Sequence, residues 1–224
     1  MGYLLKTNWW KWACIVILIY TVVAGLLFPV PRLHILNETI RVLHFHVPMW
    51  FGMILLFLAS VIHAIKYLRS GKSLSDTYSN QLASVGLAFG IWGILSGMLW
   101  AKFAWGEYWS NDPKQNGAAI SLLIYLAYFV LRRSFQDEEQ KKRISAVYNI
   151  FAFILMIPLL FILPRLTDSL HPGNGGNPAL SIYDSDSNLR MVFYPAVIGW
   201  TLLGFWIATI SARISLLKQK FDDA

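Results

Sequence analysis

The chain has 224 residues, of which 56% are hydrophobic, 15% aromatic and 14% charged, where an ordinary soluble domain carries about 25% charged residues. Its mean hydropathy is +0.50 and its formal net charge +7. This balance excludes a disordered chain, argues against a water-soluble globule, and turns attention to charge-free runs of about 20 residues, long enough to cross a bilayer.

Six such runs occur, at about 12–30, 47–65, 82–101, 117–131, 144–163 and 191–212. Divided among six spans and short connections, residues 1–224 leave no room for a large extramembrane unit. The expectation is an all-α, polytopic membrane protein forming a single membrane domain. The first run is longer than a signal h-region and ends in Leu-Leu-Phe-Pro, unlike a small-residue cleavage site, so it reads as a retained helix. It contains Cys14, the single cysteine, which excludes an intramolecular disulfide and a cysteine-based metal cluster. There is no C-x-x-C-H, so the chain is not read as a cytochrome with covalently attached haem.

The second run is introduced by Arg41-Val-Leu-His44-Phe-His46-Val-Pro48. Proline disfavours helical geometry at the residue before it, which predicts that His46 lies at or just before the helix start, with His44 pointing elsewhere. Near the other end of this run is His63, 17 residues and about 25 Å along a helix from His46, too far to share a metal. The third run carries Gly86, Gly90, Gly93 and Gly97 at helical spacing, a stripe that lets a neighbouring helix approach closely.

Between the third and fourth runs, residues 100–116 hold Trp100, Trp105, Gly106, Tyr108, Trp109 and Asp112. If the segment continues as a helix, Trp105, Tyr108, Trp109 and Asp112 fall within about one 100° sector and form an aromatic shelf beside a carboxylate. Such a shelf suits a flat apolar ligand, although Trp and Tyr also gather at membrane interfaces whatever the function. Asp112-Pro-Lys-Gln fits an N-cap with proline in the first helical position, so the fourth helix should begin near Pro113. The last connection holds His171 in a turn-rich stretch, 171–178.

Lys and Arg are retained on the cytoplasmic side of membranes. With both termini inside, 13 of the 19 basic residues fall inside and six outside (Arg32, Arg41, Lys102, Lys114, Arg165, Arg190), while acidic residues divide six and six. The excess positive charge then reports topology and contact with anionic lipid, with no call for nucleic acid. On this topology His34, His44, His46 and His171 lie at the outer surface, as does the Trp-rich loop.

His46-Val-Pro, then the Trp-rich segment with Asp112, then Leu170-His171 form a combination that resembles the haem-handling proteins of cytochrome c biogenesis, the CcmC-type family with its tryptophan-rich WWD domain. The resemblance covers about residues 41–200 and the six-helix layout. It implies that His46 and His171 are the axial ligands of a non-covalently held haem b. It further implies that Trp105, Gly106, Trp109 and Asp112, in the W-G-x-x-W-x-x-D frame, together with Tyr108, form the platform beside the haem. Nearby cations such as Arg32, Arg41, Lys102, Lys114 or Arg165 are candidates for its propionates. The family commonly has tryptophan immediately before the aspartate, where this sequence has Asn111. Larger CcsA-type proteins share the signature but carry further helices.

The resemblance implies a bacterial inner-membrane protein that binds haem on the periplasmic side. It would present haem to a periplasmic CcmE-type chaperone, assisted by a small single-helix CcmD-type protein and a CcmAB-type ABC transporter pair. It implies no enzyme activity, and the chain has no nucleotide-binding P-loop of its own. Two other classes compete: a membrane oxidoreductase or b-type electron carrier using haem or quinone, with His63 as ligand, and a zinc site of His44, His46 and Glu38, which lacks the usual ligand spacing.

Overall fold

The computed structural model describes residues 8–32, 36–171 and 186–222, and these contain helices and no strand. Helix α1 spans Trp9–Leu27, and α2, Leu43–Ser70, follows a 3-10 segment, Asn37–Val42. Helices α3 (Ser73–Trp105) and α4 (Pro113–Ser134) come next. Helix α5 (Glu138–Ile157) runs through a π turn, Pro158–Ile162, into the single turn α6 (Leu163–Leu166), and α7 spans Ser187–Asp222. Six of the resulting helical stretches are long and apolar enough to cross a membrane.

The helices outrun the charge-free runs that point to them. A run of apolar residues marks only the part that needs hydrocarbon, whereas a helix continues for as long as its backbone bonds are satisfied. Thus α3 begins at Ser73, nine residues before the apolar run, because its polar first turns pack against protein: Asp76 is buried and takes a two-pronged ion pair from Arg132 of α4, at 2.8 and 2.5 Å.

The α2 start also differs from expectation. Pro48 lies inside the helix, and His46 sits in its first turn rather than ahead of it. The 3-10 segment already carries the chain in near-helical geometry into Leu43, and the bias against helix before proline yields to this continuity.

Helix α2 is the central element, packed against α3, α5 and α7, while α1 packs mainly on α7. The α3 glycine stripe explains the tightest seam. A side-chain row on α2, Phe57, Met53, Trp50 and His46, lies in turn over Gly86, Gly90, Gly93 and Gly97; an added Cβ at Gly93 would come within 2.9 Å of the Trp50 ring and one at Gly97 within 2.6 Å of His46. Cys14 faces α7, with its thiol 3.6 Å from the Gly199 carbonyl. In the half of the bundle toward the α2–α3 turn, Asn149 donates to Ser60 (2.7 Å) and Ser79 (3.0 Å), tying α5 to the α2–α3 pair.

Candidate functional site

The site grows from the end of α3. The helix stops at Trp105 because Gly106 takes a left-handed backbone (φ 86°), a conformation that ends helices and suits glycine. Residues 106–112 are not helical. The shelf expected from a continuous helix is therefore not formed that way: Trp105 ends α3, Tyr108 is 51% exposed, and Trp109 is half-buried in the loop.

Specific hydrogen bonds set the loop instead. The Lys102 ammonium donates to the Gly106 carbonyl (2.8 Å) and lies 5.6 Å from the Tyr108 ring centroid. The Gln115 side chain accepts from the Ser110 amide (3.0 Å) and hydroxyl (3.1 Å) and donates to the Tyr108 carbonyl (3.3 Å). Asn111 also has a left-handed backbone (φ 56°), a region that asparagine tolerates better than most residues, and its carbonyl accepts from Asn116. At the position where the CcmC-type frame commonly has tryptophan, the backbone here thus favours a small polar residue.

Asp112 is the anchor. It is 4% exposed and caps α4 by accepting the Lys114 amide, as its Asp-Pro-Lys-Gln setting predicts. The same oxygen accepts from Nδ1 of His171 (2.8 Å), while the other accepts from the Ser169 hydroxyl (2.8 Å) and the Leu170 amide (2.7 Å). Burial alone would raise this carboxyl, but His171 and the hydrogen bonds from Ser169, Leu170 and Lys114 outweigh it and hold Asp112 below the usual carboxylate range. Burial also holds His171 below the ordinary imidazole range, against the opposing pull of Asp112. His171 is therefore neutral at neutral pH, donates from Nδ1 and keeps Nε2 as its basic nitrogen. Its ring meets Trp105 edge-on, with centroids 4.7 Å apart.

His46 is 8% exposed and lies between Trp50 and Trp100, at 6.1 and 5.9 Å between ring centroids. Its Nδ1 is 3.1 Å from the Ser96 hydroxyl. That hydroxyl has one hydrogen and two carbonyls in reach, Trp92 (2.8 Å) and Gly93 (3.1 Å), which leaves its oxygen open to accept from His46. The indole N–H of Trp50 donates to Nε2 (3.4 Å), so Nδ1 carries the proton and Nε2 is basic here too. Trp100 is steered in turn by Thr39, whose hydroxyl accepts its indole N–H at 3.3 Å. His46 and His171 come from distant parts of the chain, and each leans on an indole of the last turns of α3.

The other candidates are dispersed. His44 is buried against Gly25 of α1, on a different side of α2 from His46, and among the described residues no three of His, Cys, Asp and Glu converge as a metal site. His63 is half-buried and stacked on Tyr78 at 5.3 Å. Arg41 is committed to the fold: it donates to the Gly25 (3.0 Å) and Phe28 (2.8 Å) carbonyls at the end of α1 and pairs with Glu38. Arg165 donates to the Phe161 carbonyl, and Arg32 is exposed. His34 and residues 172–185 lie outside the described residues. Sequence reasoning missed Ser96, Ser169 and Thr39; of these, Ser96 had a signal, since it adjoins the glycine stripe that seats the α2 row.

The family profile described as Heme exporter protein C matches residues 3–224. The chain is 26% identical to the Heme exporter protein C of Bradyrhizobium diazoefficiens over 189 residues, 82% of this chain and 69% of that protein. It is 39% identical to the cytochrome c biogenesis protein CcsA of Pelargonium hortorum over 118 residues, 52% of this chain and 36% of the relative. With the CcsA of Synechococcus sp. strain CC9311 it shares 41% identity over 73 residues, 33% of this chain and 23% of that protein. The chain spans about a third or less of these two CcsA relatives, whereas the profile covers it almost from end to end. By that coverage, the chain belongs to the Heme exporter protein C family.

Proposed function

We propose that this chain binds non-covalent haem b as cargo between His46 and His171 and presents it for cytochrome c maturation, as a transport and assembly protein rather than an enzyme. The observation that carries this reading is the shared state of the two imidazoles. Both have Nδ1 tied to a protein acceptor, Ser96 or Asp112, which leaves Nε2 as the basic nitrogen on each ring. Haem iron takes axial imidazole in that state, and the outer hydrogen bond sets the tautomer and orientation of the ring. Trp50, Trp100 and Trp105 around these rings, with Tyr108 and Trp109 in the loop, offer faces and edges to an apolar macrocycle. Asp112 serves behind His171 as a positioning residue, since its acceptor positions are filled by protein.

Both termini are cytoplasmic and the site faces the periplasm of a bacterial inner membrane; the support for this orientation is the concentration of basic residues at the end of the bundle away from the site, as the positive-inside rule expects. An exposed loop around Tyr108 is suited to a docking periplasmic chaperone of the CcmE type. A CcmD-type single-helix protein and a CcmAB-type transporter pair are the further partners implied by the family.

The test is the visible spectrum of detergent-purified protein, comparing wild type with His46→Ala and His171→Ala. The expectation is a six-coordinate haem in wild type whose spin state or occupancy changes in each variant. A haem indifferent to both substitutions would overturn the axial assignment and move attention to His63 and an electron-transfer role.

A further inference from the structure

The His46 ring makes one contact at the nitrogen that faces away from Ser96. The indole N–H of Trp50, one turn along α2, donates to Nε2 of His46 at 3.4 Å, the two rings standing at 83° to each other. An indole nitrogen can only donate, so this contact requires a bare Nε2 and leaves the proton on Nδ1, where the Ser96 hydroxyl oxygen can accept it. Trp50 thus holds the nitrogen that an incoming iron would use. The indole is itself seated on α3, lying over Gly93 where any side chain would strike its ring.

His171 is held differently. Its Nδ1–H donates to a buried carboxylate, whereas that of His46 donates to a neutral hydroxyl. A carboxylate partner makes an imidazole a stronger base and a stronger ligand than a hydroxyl does. The two sides of the site are therefore unequal: one is strengthened from behind, the other is opposed from the front.

We propose that Trp50 is a positioning residue that competes with cargo iron for Nε2 of His46, making His46 the side that lets go first and so easing hand-over. The inference rests on the haem reading above. On loading, Nε2 gives up the hydrogen bond from the indole and uses the same lone pair toward iron; the indole keeps its proton. On release the indole N–H returns to Nε2. No electron or proton is transferred.

The test uses the full chain in detergent. Haem loss to excess apomyoglobin is followed by absorbance for wild type and Trp50→Phe, a change that keeps an aromatic ring over Gly93 and removes the donor. The expected result is haem loss slowed about two- to tenfold, the scale of one net hydrogen bond; an unchanged or faster rate overturns the proposal. A second measurement needs no variant. In protein carrying 15N-labelled tryptophan, loading with haem is expected to shift the Trp50 indole N–H resonance and quicken its exchange with deuterium oxide, and a resonance unmoved in haem-loaded protein overturns the proposal. Wild-type protein that takes up no haem would instead sink the haem reading itself, and is distinguished by its blank spectrum. In that event 15N-histidine spectra of the haem-free protein still decide the contact, since Trp50→Phe must shift the His46 Nε2 resonance if the hydrogen bond exists.

Discussion

Asp112 and His171, 59 residues apart, share a 2.8 Å hydrogen bond through the same carboxylate oxygen that caps α4. One side chain therefore starts a helix and aims an imidazole, and neither task can be altered without touching the other.

The first prediction concerns that carboxylate. Asp112→Asn keeps the volume but removes the charge and one acceptor, and second-partner losses of this kind weaken metal binding about 10- to 100-fold. Haem titration followed by absorbance should show a drop of that size. Asp112→Ala should in addition lower thermal stability, by about 1 kcal/mol for the cap and more for the Leu170 amide left without its acceptor.

A second prediction follows from protonation. The folded pKa of His171 lies below its unfolded value, so between the two the unfolded chain binds more protons and stability rises with pH. The stabilisation is complete above the ordinary imidazole pKa of about 6.5 and is lost as pH falls toward the folded value. The same proton blocks Nε2, so haem occupancy should fall on acidification from pH 7 to pH 5. Asp112, also depressed, contributes fully above the ordinary carboxylate range and stays ionised throughout that interval. A pH titration of the haem spectrum checks this; occupancy rising toward pH 5 would refute it.

The glycine under His46 gives a third. An added Cβ at Gly97 would lie 2.6 Å from His46 Cε1, so Gly97→Ala must push the imidazole or part α2 from α3. A cost of about 1–3 kcal/mol is expected for such overpacking. Melting in detergent should show it together with an altered haem spectrum, whereas Gly71→Ala, with nothing within 4 Å of its Cβ, should leave the haem spectrum as it is.

Asn111 supplies the fourth. With φ at 56°, Asn111→Gly should be tolerated, while Asn111→Trp should cost about 1–2 kcal/mol because the left-handed region crowds a bulky side chain. Equal melting temperatures for the two variants would show that the loop relaxes its backbone freely.

The sequence made the six spans legible because hydrocarbon thickness imposes a minimum apolar length, and the α4 start because Asp-Pro-Lys-Gln encodes its own cap. It made the glycine stripe legible as a packing face but not its occupants, since periodicity names a face and not a neighbour. The shelf geometry failed at Gly106: a conditional helix through 100–112 ignored the residue best able to end one. Pro48 misled in the opposite sense, a local bias overridden by the turn before it. The bonds from Asp112 to His171 and from Ser96 to His46 span 59 and 50 residues, and no local pattern reports contacts at such separations.

The π turn at Pro158–Ile162 bears on how His171 reaches its place. Such a turn inserts one extra residue into a helix, which rotates everything after it by about 100°. The widened turn presses the Leu159 carbonyl against Gly117 of α4, a contact only glycine admits. The exit of the fifth span is thereby steered, and the bearing on which residues 166–171 leave the bundle is set by a single residue of slack. Deleting one residue within that turn would swing the Leu170-His171 pair around the helix axis and away from Asp112, disabling the site with every site residue still present.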